Sequence, residues 1–287
     1  MVITDELKLG GHISTAGGVH LAPERASRFG FRTFQIFSKN QMQWNARPLP
    51  AEEIESFRHG VSQYHMCGIM IHASYLLNMG TASPELRKKA TDAFTIEIQR
   101  ADLLGVDYLT FHPGSASGST PKEAIDSVRR NLNSVMSKDQ KCTILLENAA
   151  GQGSTIGRSF EEIAEMMDGL QFPAKVGVCL DTCHTWAAGY DIVSPEGYME
   201  TMDQFESTIG LSKLKGIHLN DSKKDRGSHL DRHEQIGRGT IGAQGIGNFI
   251  NDRRLEHTPM ILETPLGENG YEADLQVIKS IRGMNSA

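Results

Sequence analysis

Apolar runs alternate with amphipathic helical patterns along the whole chain, and six of the apolar runs end on a residue that can bind a metal. The clearest run is residues 176–180, which reads as a buried strand, ends at Asp181 and is followed three positions later by His184. We expect this strand to lead into a polar loop. The other five runs stop in the same way, at His72, His112, Glu147, His218 and Glu263.

The periodicity predicts eight strands, each followed by a helix. Short apolar runs or period-2 alternation mark strands at residues 9–14, 33–38, 69–72, 107–112, 142–147, 176–181, 213–219 and 259–263. Helical patterns follow at about residues 19–29, 50–66, 83–104, 120 onward, 159 onward, 194–208, 246–251 and 271–281.

Several of these helices carry end signals. A helix that starts after Ser83 is expected to end at Leu104, where Gly105 would cap it. Capping boxes are predicted for the two helices that start after Thr120 and Ser159, because each has a glutamate three positions later.

The regular alternation of strands and helices predicts a (β/α)8 TIM barrel. Strands separated by helices of this length are joined by parallel crossovers, and eight such units in one uninterrupted chain close most economically into a barrel. No linker or low-complexity segment marks a second domain, so residues 1–287 are expected to form one domain. An open doubly wound sheet is the structural alternative, but it would gather its ligands at one switch point, whereas the polar strand ends here are spread over six strands.

Composition and charge narrow the class of protein. Of 287 residues, 39% are hydrophobic and 22% are charged, which is ordinary for a globular protein. No apolar run approaches the ~18 residues of a membrane span, and the N-terminus lacks a secretory signal, so we expect a cytoplasmic protein without a membrane partner. The net charge of −6 means that nucleic-acid binding would be local and assisted by bound cations.

The four cysteines are expected to be reduced and buried, although the spacing of Cys179 and Cys183 leaves a zinc-ligand role open.

The polar strand ends would meet in one place. In a TIM barrel the C-terminal ends of the strands point into one mouth, and active sites lie at that rim. Glu147, Asp181 and Glu263 each share a strand face with the residues two and four positions earlier, so each can lie on the interior side. Asp231 and His233, from the long polar segment after the seventh strand, complete a set of five histidines, two aspartates and two glutamates.

Nine such side chains are too many for one ion. Zinc takes three or four nitrogen, sulfur or oxygen ligands, and catalytic sites keep a position open for water. With one or two shared carboxylates, nine ligands serve three ions, and closely spaced ions suit in-line displacement at phosphorus. Five histidines favour zinc over magnesium, and manganese or iron at one site stays open. Among the remaining histidines, only His12 is placed at the mouth.

These residues stand in motifs that resemble endonuclease IV, the family of zinc-dependent apurinic/apyrimidinic endonucleases. The matches run in order through nearly the whole chain, and all nine metal-binding positions carry the expected residue types. The motifs are Lys39-Asn-Gln, His72-x-Ser-Tyr75, Phe111-His-Pro-Gly-Ser115, Glu147-Asn-x-Ala-Gly-Gln-Gly-Ser154, Cys179-x-Asp-Thr-Cys-His184, Gly189-Tyr-Asp191, His218-Leu-Asn-Asp221, Asp231-Arg-His233 and Ile261-Leu-Glu-Thr264.

The resemblance implies a site and a reaction. The reaction would be hydrolysis of the phosphodiester 5′ to an abasic site in double-stranded DNA, leaving a 3′-hydroxyl and a 5′-deoxyribose phosphate, with removal of 3′-blocking groups as a further activity. Glu147 and Glu263 would be the catalytic carboxylates that orient or deprotonate the attacking water, and the third ion would stabilise the departing 3′ oxygen. No feature demands a partner chain, and we expect a monomer. The implied zinc sites are His72, His112 and Glu147; Glu147, Asp181, His218 and Glu263; and His184, Asp231 and His233.

The resemblance also implies DNA contacts from loops at the same rim. Tyr75 matches an aromatic residue that the family places against the DNA at the lesion, where a ring would replace the lost base stack; packing on its own barrel is the other interpretation. Lys39, Asn40 and Gln41 lie in the loop that the family inserts at the minor groove. Met42 departs from the pattern, because bacterial members have arginine there, and we hypothesise that Met42 serves as an apolar wedge.

A group of basic residues could contact phosphates along the same rim. For such an exposed charge run, a solvated surface is the alternative interpretation. The group consists of Arg232, Lys223, Lys224, Arg226 and Arg238.

Two other functions compete with the nuclease. A metal-dependent sugar isomerase or epimerase shares the barrel and the rim carboxylates, but it needs only one or two ions, which would leave His184, Asp231 and His233 without a role. A lesion-binding protein with structural zinc ions would require closed coordination shells, which fits poorly with shared carboxylates at an open mouth.

Overall fold

Eight parallel strands form a nearly closed barrel, as the alternation of strands and helices predicts. The computed structural model describes residues 7–284. Its strands are β1 (Leu9–Gly11), β2 (Gln35–Phe37), β3 (Met70–His72), β4 (Tyr108–Phe111), β5 (Thr143–Glu147), β6 (Val176–Asp181), β7 (Leu214–His218), β8 (Asp221–Ser222), β9 (His233–Glu234) and β10 (Met260–Leu262). The barrel order is β1-β10-β7-β6-β5-β4-β3-β2, and β8 and β9 form a separate antiparallel ribbon.

The first two strands close the barrel. The amide of Ile13 donates to the carbonyl of Gln35 at 2.8 Å, and the amide of Arg32 reaches the carbonyl of Leu9 at 3.4 Å. His12 and Gln35 also form a parallel bridge just beyond β1. The alternative of an open doubly wound sheet is therefore wrong.

Helices surround the strands on the outside. A glycine in the left-handed region ends α3 (Pro84–Leu104), as expected, because Gly105 has a φ of 73°. Thr120 and Glu123 form the complete capping box that the sequence predicts for α4 (Pro121–Val135). The helices are α1 (Ala22–Arg28), α2 (Ala51–Gln63), α3 (Pro84–Leu104), α4 (Pro121–Val135), α5 (Phe160–Met167), α6 (Thr182–Ala188), α7 (Pro195–Thr208), α8 (Gly242–Asn251) and α9 (Tyr271–Met284).

The capping box predicted for α5 is only half present. The hydroxyl of Ser159 accepts a hydrogen bond from the amide of Glu162 at 3.2 Å, as an N-cap should. The carboxylate of Glu162 does not return to Ser159. It accepts instead from the amides of Gly157 and Arg158, at 2.7 and 3.0 Å, and so fixes the loop before the helix.

The segment after β6 is a helix, and the expectation of a polar loop there is wrong. The carboxylate of Asp181 accepts a hydrogen bond from the amide of His184 at 2.7 Å, which makes Asp181 the N-cap of α6. A carboxylate at this position satisfies an N–H group that the first turn of a helix leaves free. The strand therefore passes directly into a helix, and His184 lies on its first turn.

The long segment between β7 and α8 is held by one buried carboxylate. Asp221 accepts hydrogen bonds from the amides of Ser222, Gly239, Ile241 and Gly242, at 2.8 to 3.2 Å. These bonds tie both ends of the segment together, and the ribbon of β8 and β9 forms between them. The sequence predicts one long polar segment here. In the structure this segment is ordered, and it places Asp231 and His233 at the barrel mouth.

The apolar core has two parts. A large cluster fills the space between the strands and the helices, and a small one lies inside the barrel, formed by Met70, Leu145, Cys179 and Ile261.

Three of the four cysteines are buried free thiols, as expected, but Cys67 is exposed. Among residues 7–284, no helix combines the length and apolar character that a bilayer span requires.

Candidate metal centre

The barrel interior changes from apolar to ionisable within one layer of side chains. Cys179 and Ile261 belong to the small interior cluster. Asp181 stands two positions after Cys179 on β6, and Glu263 stands two positions after Ile261, directly beyond the end of β10. Residues two apart on a strand point to the same face. The acidic side chains therefore lie directly above an apolar floor, at the C-terminal ends of the strands.

The first group of potential ligands consists of two histidines and a glutamate. The Nε2 atoms of His72 and His112 lie 3.2 and 3.3 Å from Oε2 of Glu147. Glu147 is completely buried, whereas the side chain of His112 is 39% exposed. This group can hold one metal ion and is open to solvent on the side of His112.

The second group shares Glu147 with the first and is the most deeply buried. Nδ1 of His218 lies 3.0 Å from Oε1 of Glu147, 3.2 Å from Oε2 of Glu263 and 4.0 Å from Oδ2 of Asp181. Three carboxylates thus converge on one imidazole nitrogen. The four side chains together can hold a second ion.

The third group lies at the outer edge of the mouth. Nε2 of His184 is 3.2 Å from one carboxylate oxygen of Asp231, and Nε2 of His233 is 3.3 Å from the other. His233 also approaches Oδ2 of Asp181 at 3.5 Å, which links this group to the second. Asp231 and His233 come from the segment between β7 and α8, so the third group depends on how that segment folds.

Most of the histidine rings are oriented through their second nitrogen. The Nδ1 atoms of His72, His184 and His233 lie 2.7, 2.9 and 3.1 Å from main-chain carbonyl oxygens. A carbonyl oxygen only accepts, so each Nδ1 is the donor and each Nε2 faces the carboxylates. Metal-binding histidines are held in this way, with the second nitrogen bonded to an acceptor outside the site.

Two buried polar atoms test whether the site fits a metal. Among the described residues, Oε2 of Glu147 and Nε2 of His233 are buried without a hydrogen-bond partner. An unsatisfied buried carboxylate oxygen or ring nitrogen is unfavourable by about 1–3 kcal/mol, and more when charged. Both atoms point into the ligand groups, so a cation bound there would satisfy them, and the donor set fits a metal.

Mutual attraction between acids and bases shifts the pKa values of the metal-free groups. Burial raises the pKa of Glu147, but His218 and His112 outweigh it and hold the pKa well below its usual range. Burial lowers the pKa of His184, but Asp181 and Asp231 outweigh it and raise the pKa to about 10. Without metal, Glu147 thus stays ionised and His184 stays protonated at neutral pH.

Three amide side chains brace the acidic ligands, and sequence reasoning missed all of them as site residues. Asn220 donates to Oδ2 of Asp181 at 2.8 Å and accepts from the amide of Glu263 at 2.9 Å. Asn148 accepts from the amide of Asp181 at 2.7 Å. Gln35 contacts Glu263 and His218 from inside the barrel. The one feature of the sequence that could have indicated Gln35 is a glutamine within an otherwise apolar strand.

The loop proposed to enter DNA is anchored from beneath. The ammonium of Lys39 lies 3.6 Å from the carboxylate of Glu97 and 2.6 Å from the carbonyl of Gln43, and its side chain is only 4% exposed. Lys39 therefore holds the loop, and its charge does not reach the surface. Asn40 accepts a hydrogen bond from the amide of Met42 at 2.9 Å, which forms the turn at the tip.

Two large apolar side chains project from the rim. Met42 is 65% exposed and Tyr75 is 52% exposed. Their loops are joined, because the hydroxyl of Ser74 donates to the carbonyl of Gln41 at 2.6 Å. The ring of Tyr75 also packs on His72, with centroids 5.1 Å apart, as the interpretation of a loop tyrosine packed on its own barrel expects.

Arg232 lies at the open side of the centre. It lines a cavity of about 350 Å³ together with His112, His184 and Asp231. Of the other basic residues, Lys223, Lys224 and Arg238 are exposed, and Arg226 pairs with Asp191 at 3.1 Å. A separate groove of about 750 Å³ runs past Lys39, Asn40 and Gln41 on the far side of the mouth.

A cysteine approaches the third group. The thiol of Cys183 clusters with Asp181 and His233, so the zinc-ligand role left open for Cys183 has a geometric basis. Burial and the carboxylate of Asp181 raise the pKa of this thiol to about 12. Cys179 instead lies in the apolar floor of the barrel.

Sequence comparison places the chain among known proteins. Residues 23–281 match the model of a family described as xylose isomerase-like TIM barrels. A probable endonuclease 4 of Thermoplasma volcanium is 48% identical over 281 residues, covering 98% of this chain and 97% of the relative. A probable endonuclease 4 of Campylobacter concisus is 40% identical over 279 residues, covering 95% and 97%.

Comparison with solved structures finds the same family as the sequence comparison. The crystal structure of endonuclease IV from Thermus thermophilus has a TM-score of 0.86 at 35% identity, covering 98% of this chain and 100% of that chain. A D-tagatose 3-epimerase-like protein has a TM-score of 0.74 at 17% identity, covering 97% and 98%. The second likeness concerns the fold alone.

Proposed function

The chain belongs to the endonuclease IV family, and on that basis we propose that it hydrolyses the phosphodiester bond 5′ to abasic sites in double-stranded DNA. The products are a 3′-hydroxyl and a 5′-deoxyribose phosphate. The observation that carries the proposal is the three adjoining ligand groups at one barrel rim, two of which share Glu147. A mouth built for several cations suits a polyanionic substrate, although the chain itself has a net charge of −6.

The proposed cofactor is zinc, with three ions per chain. Five histidines among nine ligands favour zinc, and manganese or iron at one of the positions is compatible with the same donors. When bound, such ions polarise phosphoryl oxygens and make water nucleophilic at neutral pH. The ligands would be His72, His112 and Glu147 for one ion; Glu147, Asp181, His218 and Glu263 for the next; and His184, Asp231 and His233 for the third.

Glu147 and Glu263 are the proposed catalytic carboxylates. Burial raises the pKa of Glu263, but His218 and His12 outweigh it and keep the carboxylate ionised at neutral pH. The side chain of Glu263 is 13% exposed, whereas Glu147 is completely buried. Glu263 can therefore accept a hydrogen bond from water at the mouth, and Glu147 fixes the neighbouring histidines beneath it.

The rim loops are proposed to recognise the lesion. The exposed face of Tyr75 offers a ring that would stack where the base is missing, and Met42 offers a flexible apolar side chain that would enter between base pairs. Asn40 and Gln41 would contact the minor groove beside Met42, and Lys39 would act by holding the loop in shape. Arg232 is placed to meet a phosphate beside the third group.

We propose that the same metal centre also acts at the 3′ ends of broken DNA strands. A 3′-blocking group is joined to the terminal 3′ oxygen through a phosphoester, so the same ligand groups would remove it.

We propose that residues 1–287 form one domain, which acts as a monomer in the cytoplasm on chromosomal DNA. The strands and helices described within residues 7–284 belong to one barrel, which supports a single unit.

The competing functions have less support. The epimerase-like structure shares only the fold, at 17% identity, whereas the endonuclease relatives reach 48%. A sugar isomerase would also leave the group of His184, Asp231 and His233 unused. A lesion binder with structural zinc ions would need closed ligand shells, but a cavity of about 350 Å³ opens beside His112 and His184.

The test is cleavage of an end-labelled duplex that contains one abasic-site analogue. We expect incision immediately 5′ of the lesion with a 3′-hydroxyl, abolished by EDTA and by Glu263→Ala. Arg253→Ala is the matched control, because Arg253 is exposed on the outer side of the barrel. Absence of incision by a zinc-loaded chain, or incision at another position, would refute the proposal.

A further inference from the structure

His218 differs from the other well-oriented histidines of the metal centre. His72, His184 and His233 are held by main-chain carbonyl oxygens, which the backbone supplies whatever the local side chains are. His218 is held by the side chain of Gln35, whose Oε1 lies 2.9 Å from Nε2 of His218. Because Nδ1 of His218 faces Glu147 and Glu263, the second nitrogen of this one ring is held by a side chain that mutation can remove.

Gln35 is fully buried on β2 and contacts three residues of the mouth. Its amide nitrogen lies 2.6 Å from Oε1 of Glu263 and 3.0 Å from Nδ1 of His12. Both amide hydrogens and the amide oxygen are thus engaged. A glutamine in the interior of a barrel is unfavourable unless it is satisfied in this way.

The chemistry of the partners decides which way the amide faces. A carboxylate only accepts hydrogen bonds, so the NH2 group must point to Glu263. The amide oxygen then points to His218 and can only accept, so Nε2 of His218 carries a proton. Nδ1, the nitrogen that faces Glu147 and Glu263, is left as the nitrogen for a metal.

We propose that Gln35 is a positioning residue of the metal centre, which selects the Nε2-protonated tautomer of His218 and aligns the carboxylate of Glu263. This inference rests on the metal centre of the proposed function. Gln35 touches two ligands of the same proposed ion, so its effect falls on that ion. Partners of this kind typically change metal affinity by about 10- to 100-fold when they are removed.

The first test measures zinc binding by the full chain in competition with a chromophoric chelator. Gln35→Met keeps the size of the side chain and removes its hydrogen bonds. We expect the affinity for one of three ions to fall about 10- to 100-fold while the other two bind as in the wild type. Thr110→Val is the control, because Thr110 is buried on β4 and its hydroxyl lacks a hydrogen-bond partner within residues 7–284.

A second test needs no variant at position 35. Imidazole ¹⁵N spectra of the zinc-loaded wild type, with the signals of His218 assigned by comparison with His218→Gln, report which nitrogen carries the proton. We expect a protonated Nε2 and a metal-bound Nδ1, and the opposite pattern would overturn the inference. Wild-type zinc affinity in Gln35→Met would overturn it as well and leave the proposed function standing, whereas a wild type that binds no zinc would overturn both.

Discussion

Oε1 of Glu147 lies 3.0 Å from Nδ1 of His218, and both side chains are completely buried. An ionised pair at this depth is favourable only when its geometry is good and its remaining atoms are satisfied. The second oxygen of Glu147 faces His72 and His112 without a hydrogen-bond partner among the described residues. Glu147 therefore stands at the junction of the first two ligand groups.

Glu147→Gln should disable two metal sites at once. The amide keeps the shape of the side chain but loses the charge that both groups share, so zinc affinity at both should fall by more than the ~100-fold seen for outer partners. Zinc content after dialysis against a chelator, measured by mass spectrometry, should drop by two ions per chain. Retention of three ions would contradict the shared role of Glu147.

The stability of the metal-free protein should fall as pH rises from 6.5 to 8.5. His184 has an ordinary pKa of 6.5 when unfolded and a pKa of about 10 in the fold, where Asp181 and Asp231 outweigh burial. Its contribution is fully present below pH 6.5 and is lost as pH rises through 10, because the folded state binds more protons in that range. The pKa of His112 and of His218 is also raised, which gives the same sign.

This pH dependence is measurable as the urea midpoint of EDTA-treated protein at pH 6.5 and 8.5. The low pKa values of Glu147 and Glu263 do not contribute there, because those carboxylates are ionised in both states. His184→Gln should flatten the slope. A midpoint that rises with pH in the wild type would show that the metal-free histidines are not held as protonated partners.

Loss of the Arg100 side chain, which holds the base of the loop that contains Lys39 to Met42, should weaken DNA binding without affecting the chemistry. Arg100 on α3 donates to the hydroxyl and carbonyl of Ser38 and to the carbonyl of Arg47, so it spans the base of the loop. Buried hydrogen bonds of a charged group contribute about 1.5–3 kcal/mol. Arg100→Met should raise KM for the abasic duplex and leave hydrolysis of bis(p-nitrophenyl) phosphate unchanged.

The control for Arg100 is Lys88→Met on the same helix. Lys88 is 76% exposed and pairs with Asp92 on the surface, and such pairs contribute little. Both variants lose one positive charge. An equal rise of KM in the two would show that net charge, and not the anchored loop, explains the effect.

The two exposed apolar side chains of the rim should contribute to DNA affinity by separate routes. Stacking of an aromatic ring on a base is worth about 1–3 kcal/mol, so Tyr75→Ala should weaken binding of the abasic duplex about 5- to 150-fold, and Tyr75→Phe should not. Met42→Ala should reduce both affinity and DNA bending, measured by fluorescence resonance energy transfer between labelled duplex ends. Unchanged bending and affinity in Met42→Ala would refute the wedge hypothesis.

The barrel and its ring of acids and histidines could be predicted because each relies on local sequence patterns. Strand parity placed Glu147 and Asp181 on the interior face, and the structure has them above Leu145 and Cys179. What could not be predicted depends on contacts between distant parts of the chain. In the sequence, Gln35 is only one polar residue within a predicted strand. Its role is visible only in the fold, where β7 and β10 place His218 and Glu263 beside it.

Other differences have the same physical origin. Lys39 was expected to contact DNA, but Glu97, more than fifty residues away in sequence, draws its ammonium inward. The helix after Asp181 was missed because its seven residues are too few to show a helical period, although the aspartate is a good N-cap. Nothing in the sequence around Asp221 indicates that its carboxylate holds the segment before α8, because its partner Ile241 is twenty residues away.

We propose that three adjoining groups at one rim each hold a metal ion. Anomalous diffraction at the zinc edge, recorded from crystals of the zinc-loaded protein, tests it directly. We expect three peaks per chain, one beside His72 and Glu147, one beside His218 and Glu263, and one beside His184 and His233. Fewer than three peaks at these groups, or peaks elsewhere in the barrel, would contradict a centre of three metal ions.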